Sequence, residues 1–255
     1  MKRILTAAAL IPIVVYVVLW ANFWVFVAVL VTVAVLCYRE FNGVAEAYGF
    51  GVPGPLGYGA GLLFLVWWQD AWLLIVGIAL ILLALAMRGD DLAKSLPRAA
   101  LLLAGIVYIF GCWKCAMPLR DMSPHWLMYA LLVNWVGDVG AYYVGGRWGR
   151  HKMAPRVSPH KSWEGAVASV AASVMVAGPY LLRFVPGVGV ALAVALTVAA
   201  NATGQLGDLT ESAMKRGAGL KDSGVILPGH GGLLDRVDST LFSLPLIYAY
   251  LKLAG

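Results

Sequence analysis

Eight ionisable side chains stand close together near the end of this sequence, between two apolar runs. Residues 214–239 read MKRGAGLKDSGVILPGHGGLLDRVDS. Carboxylates mixed with so many cations could hold a hard divalent cation together with an anionic ligand. Magnesium fits this inventory best, because it binds through a few carboxylates together with phosphate oxygens and water. The eight side chains are Lys215, Arg216, Lys221, Asp222, His230, Asp235, Arg236 and Asp238.

Two further apolar segments carry polar side chains at helical spacing. Asn134, Asp138 and Tyr142 follow one another at intervals of four, which places them on one face of a helix. A carboxylate within a membrane helix is costly enough that it usually faces the protein interior and has a function. A second stripe leads into the charged stretch through Asn201, Gln205, Asp208, Ser212 and Lys215.

Each of these acids also has a simpler explanation. Asp235 and Asp238 stand three residues apart at the predicted start of the last helix, where acids commonly cap a helix. Asp138 could pair with Lys114 or Tyr142. Because three helices are predicted to bring acids to the same side of the membrane, the whole set favours a binding site over three unrelated structural roles.

The turn LPGHGG supplies small residues beside these charges. Gly229, Gly231 and Gly232 would let backbone N–H groups approach an anion closely, next to Lys215. A tight turn also needs glycine, so the cluster has a structural explanation as well. His230 could donate to a phosphate, bind a metal or cap the turn, and its charged neighbours favour the phosphate.

The composition indicates that the chain lies in a membrane. Hydrophobic residues make up 61% of its 255 residues and the mean hydropathy is +0.81. Charged residues make up only 13%, whereas soluble domains contain about 25%. Such a chain cannot bury its apolar surface within itself, so the bilayer is its solvent. Loop orientation accounts for the net charge of +6, and no nucleic-acid partner is predicted.

Hydropathy predicts an all-α, polytopic membrane protein with about nine transmembrane helices in one domain over residues 1–255. Residues 1–120 would form a helical scaffold available for oligomer contacts, and residues 121–255 the catalytic helices and cytoplasmic loops. An N-terminus inside and a C-terminus outside place 15 of the 19 Lys and Arg residues on the cytoplasmic side. The predicted spans are 4–20, 23–38, 56–69, 71–87, 99–117, 125–144, 164–182, 187–207 and 236–253.

One pattern of residue types covers 27 positions of the charged stretch: Ser212-x-x-Lys215-Arg216-x4-Lys221-Asp222-x-Gly224-x3-Pro228-Gly229-His230-Gly231-Gly232-x2-Asp235-Arg236-x-Asp238. This pattern resembles the signature of the CDP-diacylglycerol synthases, also called phosphatidate cytidylyltransferases. A second block resembles the same family, although His160 and Ser162 depart from the types expected there. Its matching residues are Asp138, Ala141, Tyr142, Gly145, Gly149, Pro155, Ser158, Pro159, Lys161, Glu164 and Gly165.

The resemblance implies that a phosphate oxygen of phosphatidate attacks the α-phosphorus of CTP, which releases pyrophosphate and gives CDP-diacylglycerol. It implies catalytic roles for Asp208, Asp235, Lys215 and Arg236. Magnesium would bind Asp208 and Asp235, with Asp238 and Asp222 as further ligands, and a second, monovalent metal such as K⁺ is conceivable. The substrate phosphates would contact Ser158, Lys161, Arg216, Lys221, His230, Gly231, Gly232 and Asp138.

The resemblance also implies a homodimer. Short loops and the lack of an organellar targeting segment favour a bacterial inner membrane. The active site is expected on the cytoplasmic side, where CTP and the phosphatidate headgroup meet and where the charged loops are predicted to lie. Two alternatives share the nucleotide and the membrane: a CDP-archaeol synthase and a polyprenol kinase. A third alternative is an ion-coupled transporter, whose intramembrane acids would form a cation path. A transporter should spread polar groups through the bilayer midplane, whereas here they concentrate toward one interface.

Overall fold

Long apolar runs separated by short polar connections make this protein mainly helical. A computed structural model describes residues 2–51, 54–67, 71–86, 91–227, 229 and 231–254. Three residues of the predictions lie outside these ranges: Arg88, one of the cations assigned to the cytoplasmic side, and Pro228 and His230 of the charged stretch. Every predicted span overlaps a helix of the described ranges.

The N-terminal half begins with four helices: α1 (Lys2–Leu19), α2 (Phe23–Ala47), α3 (Gly54–Val66) and α4 (Ala71–Ala86). The Asn22 side chain starts α2 by accepting a hydrogen bond from the Val25 N–H at 2.9 Å. This helix continues well past the predicted end at residue 38. One side of this polar extension is buried in the protein, since Glu40 and Asn42 have little exposed surface.

The predicted span 99–117 is part of a longer, irregular helical segment. It comprises a 3₁₀ turn (Leu92–Lys94), α5 (Ser95–Gly105), a π-helical stretch (Ile106–Gly111), α6 (Cys112–Lys114) and α7 (Ala116–Met122). Lys114 donates to the Phe64 carbonyl at 2.9 Å, and Arg120 donates to the Val18 carbonyl at 2.9 Å. Both basic side chains thus satisfy carbonyls that the C-terminal ends of α3 and α1 leave open.

The C-terminal half contains α8 (Pro124–Trp148), α9 (Trp163–Phe184), α10 (Val190–Gly217) and α11 (Leu234–Ala254). An antiparallel hairpin of β1 (Lys152–Ala154) and β2 (Ser158–Ser162) lies between α8 and α9. The sequence predicted a plain loop there, whereas the prediction of a mainly helical protein is confirmed. The hairpin is short and polar, and its backbone groups are satisfied by pairing with each other.

Polar side chains join α8, α9, α10 and α11 in the protein interior. Asn201 donates to the hydroxyls of Ser169 at 3.0 Å and Ser173 at 2.9 Å. Asn134 donates to the Ser243 hydroxyl at 2.8 Å. The polar stripes predicted on α8 and α10 therefore begin as a buried hydrogen-bonded seam, in which the helices approach closely.

Gly137 on α8 is required by this seam. A Cβ at this position would lie 2.4 Å from the Asn201 amide nitrogen and 2.6 Å from the Ser169 hydroxyl. We expect Gly137→Ala to destabilise the protein by about 1–3 kcal/mol, because overpacking forces its neighbours apart. Thermal unfolding in detergent, followed by tryptophan fluorescence, measures the change. Gly43→Ala on α2 is the control, since a Cβ there meets nothing within 4 Å. Equal unfolding midpoints for the two variants would contradict the expectation.

Within the described ranges, four helices are long and apolar enough to cross a membrane. The helices α8 and α11 are of comparable length but are not among these four. The chain is therefore a mainly helical membrane protein. The four segments are Phe23–Ala47, Leu92–Met122, Trp163–Phe184 and Val190–Gly217.

Candidate active site

A cavity of about 1060 Å³ opens between α8, the β-hairpin, α9 and α10. Its wall includes Asp138 from α8, Lys161 from β2 and Asp208 from α10. Arg147 and Lys152 add positive charge to the same wall. Three residues predicted from separate sequence stretches thus share one cavity, which combines carboxylates with cations.

Lys161 and Asp208 form an ion pair at this wall, with 2.6 Å between Nζ and Oδ2. Their side chains are 27% and 32% exposed, and the Lys161 Nζ atom itself is buried against Asp208. The Ser212 hydroxyl donates to the other oxygen of Asp208 at 3.3 Å. The hairpin therefore places the Lys161 ammonium group beside Asp208, within the polar stripe predicted on α10.

Three carboxylates from three helices lie within electrostatic range of one another: Asp138, Asp208 and Asp238. Asp138 is exposed to the cavity, whereas Asp238 is buried and accepts a hydrogen bond from the Ser239 N–H at 2.6 Å. Lys161 and Arg236 supply the nearby positive charge. In the part of the chain that the structure describes, no three acidic, histidine or cysteine side chains already form a metal-binding group.

Asp235 is held at the start of α11 by three donors. Its carboxylate accepts from Lys215 Nζ at 2.5 Å, from the Gly232 N–H at 2.8 Å and from the Ser223 N–H at 3.1 Å. Burial alone would raise the pKa of Asp235, but Lys215 and the Gly232 N–H outweigh burial and hold this pKa below its usual value. Asp235 is thus ionised at neutral pH.

Lys215 lies between two carboxylates, those of Asp235 and Glu211. Its side chain is 9% exposed, that of Glu211 is 1% exposed and that of Asp235 is 4% exposed, so the three side chains form a buried cluster. Glu211 was absent from the predicted site. The signal that identifies it is its spacing, since a glutamate four residues before a lysine pairs with that lysine on a helix.

The other predicted residues of the charged stretch lie at its surface. Arg216, Lys221, Asp222 and Arg236 are exposed, and Ser158 begins β2 in a half-buried position. Arg216 donates to the Leu220 carbonyl at 2.9 Å. His230 lies outside the described residues.

The glycine turn binds carboxylates of the chain itself. Gly231 has φ +78°, a left-handed conformation that favours glycine, and a Cβ there would lie 2.9 Å from an Asp235 oxygen and 3.3 Å from the Asp222 side chain. The N–H of Gly232 binds Asp235. The next two N–H groups, at the start of α11, bind Glu40 of α2, a residue that the sequence did not single out.

The charged stretch and the cavity both fall within a region that matches known proteins. A sequence model of the cytidylyltransferase family matches residues 1–254. A phosphatidate cytidylyltransferase of Staphylococcus saprophyticus is 34% identical over 222 residues, which cover 84% of this chain and 85% of that protein.

Two other proteins of the same name align over shorter regions at higher identity. The protein of Staphylococcus aureus strain COL is 42% identical over 155 residues, or 60% of this chain and 59% of that protein. The protein of Bacillus subtilis strain 168 is 39% identical over 150 residues, or 58% of this chain and 56% of that protein.

Proposed function

Because this chain belongs to the cytidylyltransferase family, we propose that it transfers the cytidylyl group of CTP to phosphatidate, which gives CDP-diacylglycerol and pyrophosphate. The reaction is a step in phospholipid biosynthesis. The observation that carries the proposal is the cavity that joins Asp138, Lys161 and Asp208, since it lies within the matched region and combines the charges that two phosphate-bearing substrates need.

The reaction does not require a strong general base. A phosphate monoester is already anionic near neutral pH, so its oxygen can attack the α-phosphorus of CTP as that phosphorus loses pyrophosphate. The difficulty is to bring two anions together and to stabilise charge on the departing group. Lys161, Arg147 and Lys152 all line the cavity, so we assign them to the phosphate oxygens. Arg216, Lys221 and Arg236 are exposed, so they can attract the triphosphate.

The acidic residues fit a magnesium ion by their chemistry, because oxygen ligands are what this ion prefers. When bound, the ion would neutralise charge on the phosphates of CTP. Asp208 and Asp235 are the first proposed ligands, one on α10 and one at the start of α11. Asp238, whose carboxylate lies within electrostatic range of Asp208, and Asp222, which lies beside Gly231, are the further proposed ligands.

Purified protein in mixed micelles, supplied with phosphatidate and labelled CTP, tests the proposal. We expect labelled CDP-diacylglycerol to form with magnesium, to stop when the metal is chelated and to return when magnesium is added back. Repeating the titration with K⁺ or Na⁺ as the monovalent salt tests for a second cation. Product that appears only with a polyprenol or an archaeal ether-lipid acceptor would overturn the choice of phosphatidate.

The same proposal includes a location in a bacterial inner membrane, with nine spans, the N-terminus inside, the C-terminus outside and the cavity on the cytoplasmic side. The Lys and Arg distribution supports this orientation. Single cysteines at His151 in the hairpin and Pro186 between α9 and α10 should react with an impermeant thiol reagent from opposite sides of the membrane. Chemical cross-linking in native membranes tests the proposed homodimer.

A further inference from the structure

Glu40 lies in the half of the chain predicted as scaffold, yet it is in direct contact with the start of α11. Its carboxylate is almost fully buried, at 4% exposure. It accepts hydrogen bonds from the Leu234 N–H at 2.7 Å and the Leu233 N–H at 3.0 Å. The Ser223 hydroxyl donates to the same group at 3.2 Å. A side chain from α2 therefore caps a helix almost two hundred residues away.

Glu40 and Asp235 bind the same two short segments, one at Ser223 and one at residues 232–234. Ser223 donates through its N–H to Asp235 and through its hydroxyl to Glu40. Gly232 donates to Asp235, and the following N–H groups donate to Glu40. The position of Asp235 is thus tied to that of Glu40, because both carboxylates accept hydrogen bonds from Ser223 and from the backbone of residues 232–234.

The glycines of the charged stretch leave room for this arrangement. A Cβ at Gly224 would lie 2.5 Å from one Glu40 oxygen, and a Cβ at Gly232 would lie 2.6 Å from the other. The loop backbone is therefore wrapped directly around the carboxylate. These two glycines serve close contact with Glu40, which differs from the predicted role of Gly232 in holding a phosphate.

A second contact from α2 fixes the other end of the loop. The Tyr48 hydroxyl donates to the Met214 carbonyl at 2.9 Å, near the end of α10. Glu40 and Tyr48 are eight residues apart, which corresponds to roughly 12 Å along a helix. The cytoplasmic extension of α2 thus holds the end of α10 and the start of α11 at a set separation, with the charged loop between them.

We propose that Glu40 is a positioning residue for the transfer reaction. Among the described residues, its hydrogen bonds reach Ser223, Leu233 and Leu234, which do not line the cavity. It instead fixes the first turn of α11 and with it Asp235, Arg236 and Asp238. The inference rests on the proposed function, because that function gives these three residues their task. It also extends the site to α2, so that residues 1–120 do more than form a scaffold.

Glu40→Gln tests the inference with almost no change in volume. The glutamine amide can accept hydrogen bonds through its one oxygen only. Its NH₂ group is a donor, so it cannot bind the N–H donors at the start of α11. We expect kcat to fall about 10–100-fold, as for other supporting residues of a site, while the KM for phosphatidate is unchanged. Glu46→Gln is the matched control, because Glu46 lies on the same helix and is exposed.

Gly224→Ala provides a second, independent route to the same contact, since the added methyl group would displace the Glu40 carboxylate. We expect the two changes together to cost little more than either alone, because each disturbs the same contact. If Glu40→Gln does not fold, Ser223→Ala takes its place and should lower kcat several-fold while the unfolding temperature is maintained.

The possible failures are distinguishable. No transfer by the unmodified protein, with CTP and phosphatidate present, would remove the proposed function. Normal transfer by the unmodified protein together with a wild-type kcat in Glu40→Gln would overturn the role of Glu40. A loss of activity that only follows the loss of folded protein, with kcat per folded molecule unchanged, would overturn it as well.

Discussion

Replacing Asp208 with Asn is expected to lower cytidylyl transfer by about 100–1000-fold, the usual cost of removing one preorganised charge from a catalytic site. Asp208 lies on the cavity wall, pairs with Lys161 and acts on Asp238. The amide keeps the shape of the side chain but removes the charge that orients Lys161 and would bind magnesium. Transfer from labelled CTP, with the magnesium concentration varied, measures both effects.

Asp121→Asn on α7 is the matched control for this change, since Asp121 is an exposed carboxylate. The Asp208 variant should unfold at nearly the unmodified temperature, because the ion pair with Lys161 is partly exposed and contributes at most about 1 kcal/mol. Transfer that stays within twofold of the unmodified protein would show that Asp208 is not part of the reaction.

Lys215→Met is expected to unfold the protein more easily, by about 3–5 kcal/mol, because it leaves two buried carboxylates without a cation between them. Lys161→Met should instead abolish transfer with little loss of stability, since its side chain is 27% exposed beside Asp208. Thermal unfolding and transfer, measured on the same preparations, distinguish the two lysines. The contrast follows from where each ammonium group lies.

Removal of every charge from the buried cluster of Glu211, Lys215 and Asp235 serves as the control for Lys215→Met. The triple variant Glu211→Gln, Lys215→Met and Asp235→Asn has no uncompensated charge left, so it should recover much of the lost stability. The triple variant should not carry out the transfer, because Asp235 has lost its charge. A Lys215→Met protein as stable as the unmodified one would mean that the cluster contributes nothing to the fold.

Features of the site that arise within one helix were accessible from the sequence. Asp208 and Ser212 lie on one face of α10 because they are four residues apart, and the structure shows them in contact. The same spacing places Glu211 beside Lys215, so the sequence also indicates this ion pair.

Features of the site that depend on tertiary packing could not be predicted from the sequence. The contact of Lys161 with Asp208 requires a β-hairpin that hydropathy cannot reveal in so short a polar segment. The glycines of the turn predicted that backbone N–H groups would bind a phosphate. In the structure, the N–H groups at the start of α11 bind Glu40 and Asp235. Glycine permits close approach by either kind of anion, so the residue types alone could not tell them apart.

By itself the sequence determined that this protein lies in a membrane, that it is mainly helical and that its polar chemistry gathers beside the last two helices. These properties follow from local hydropathy and spacing. Tertiary structure decided which carboxylate meets which donor, as when Glu40 caps a helix 194 residues further along the chain. Such a pairing depends on how α2 packs against α11, and no local pattern encodes that packing.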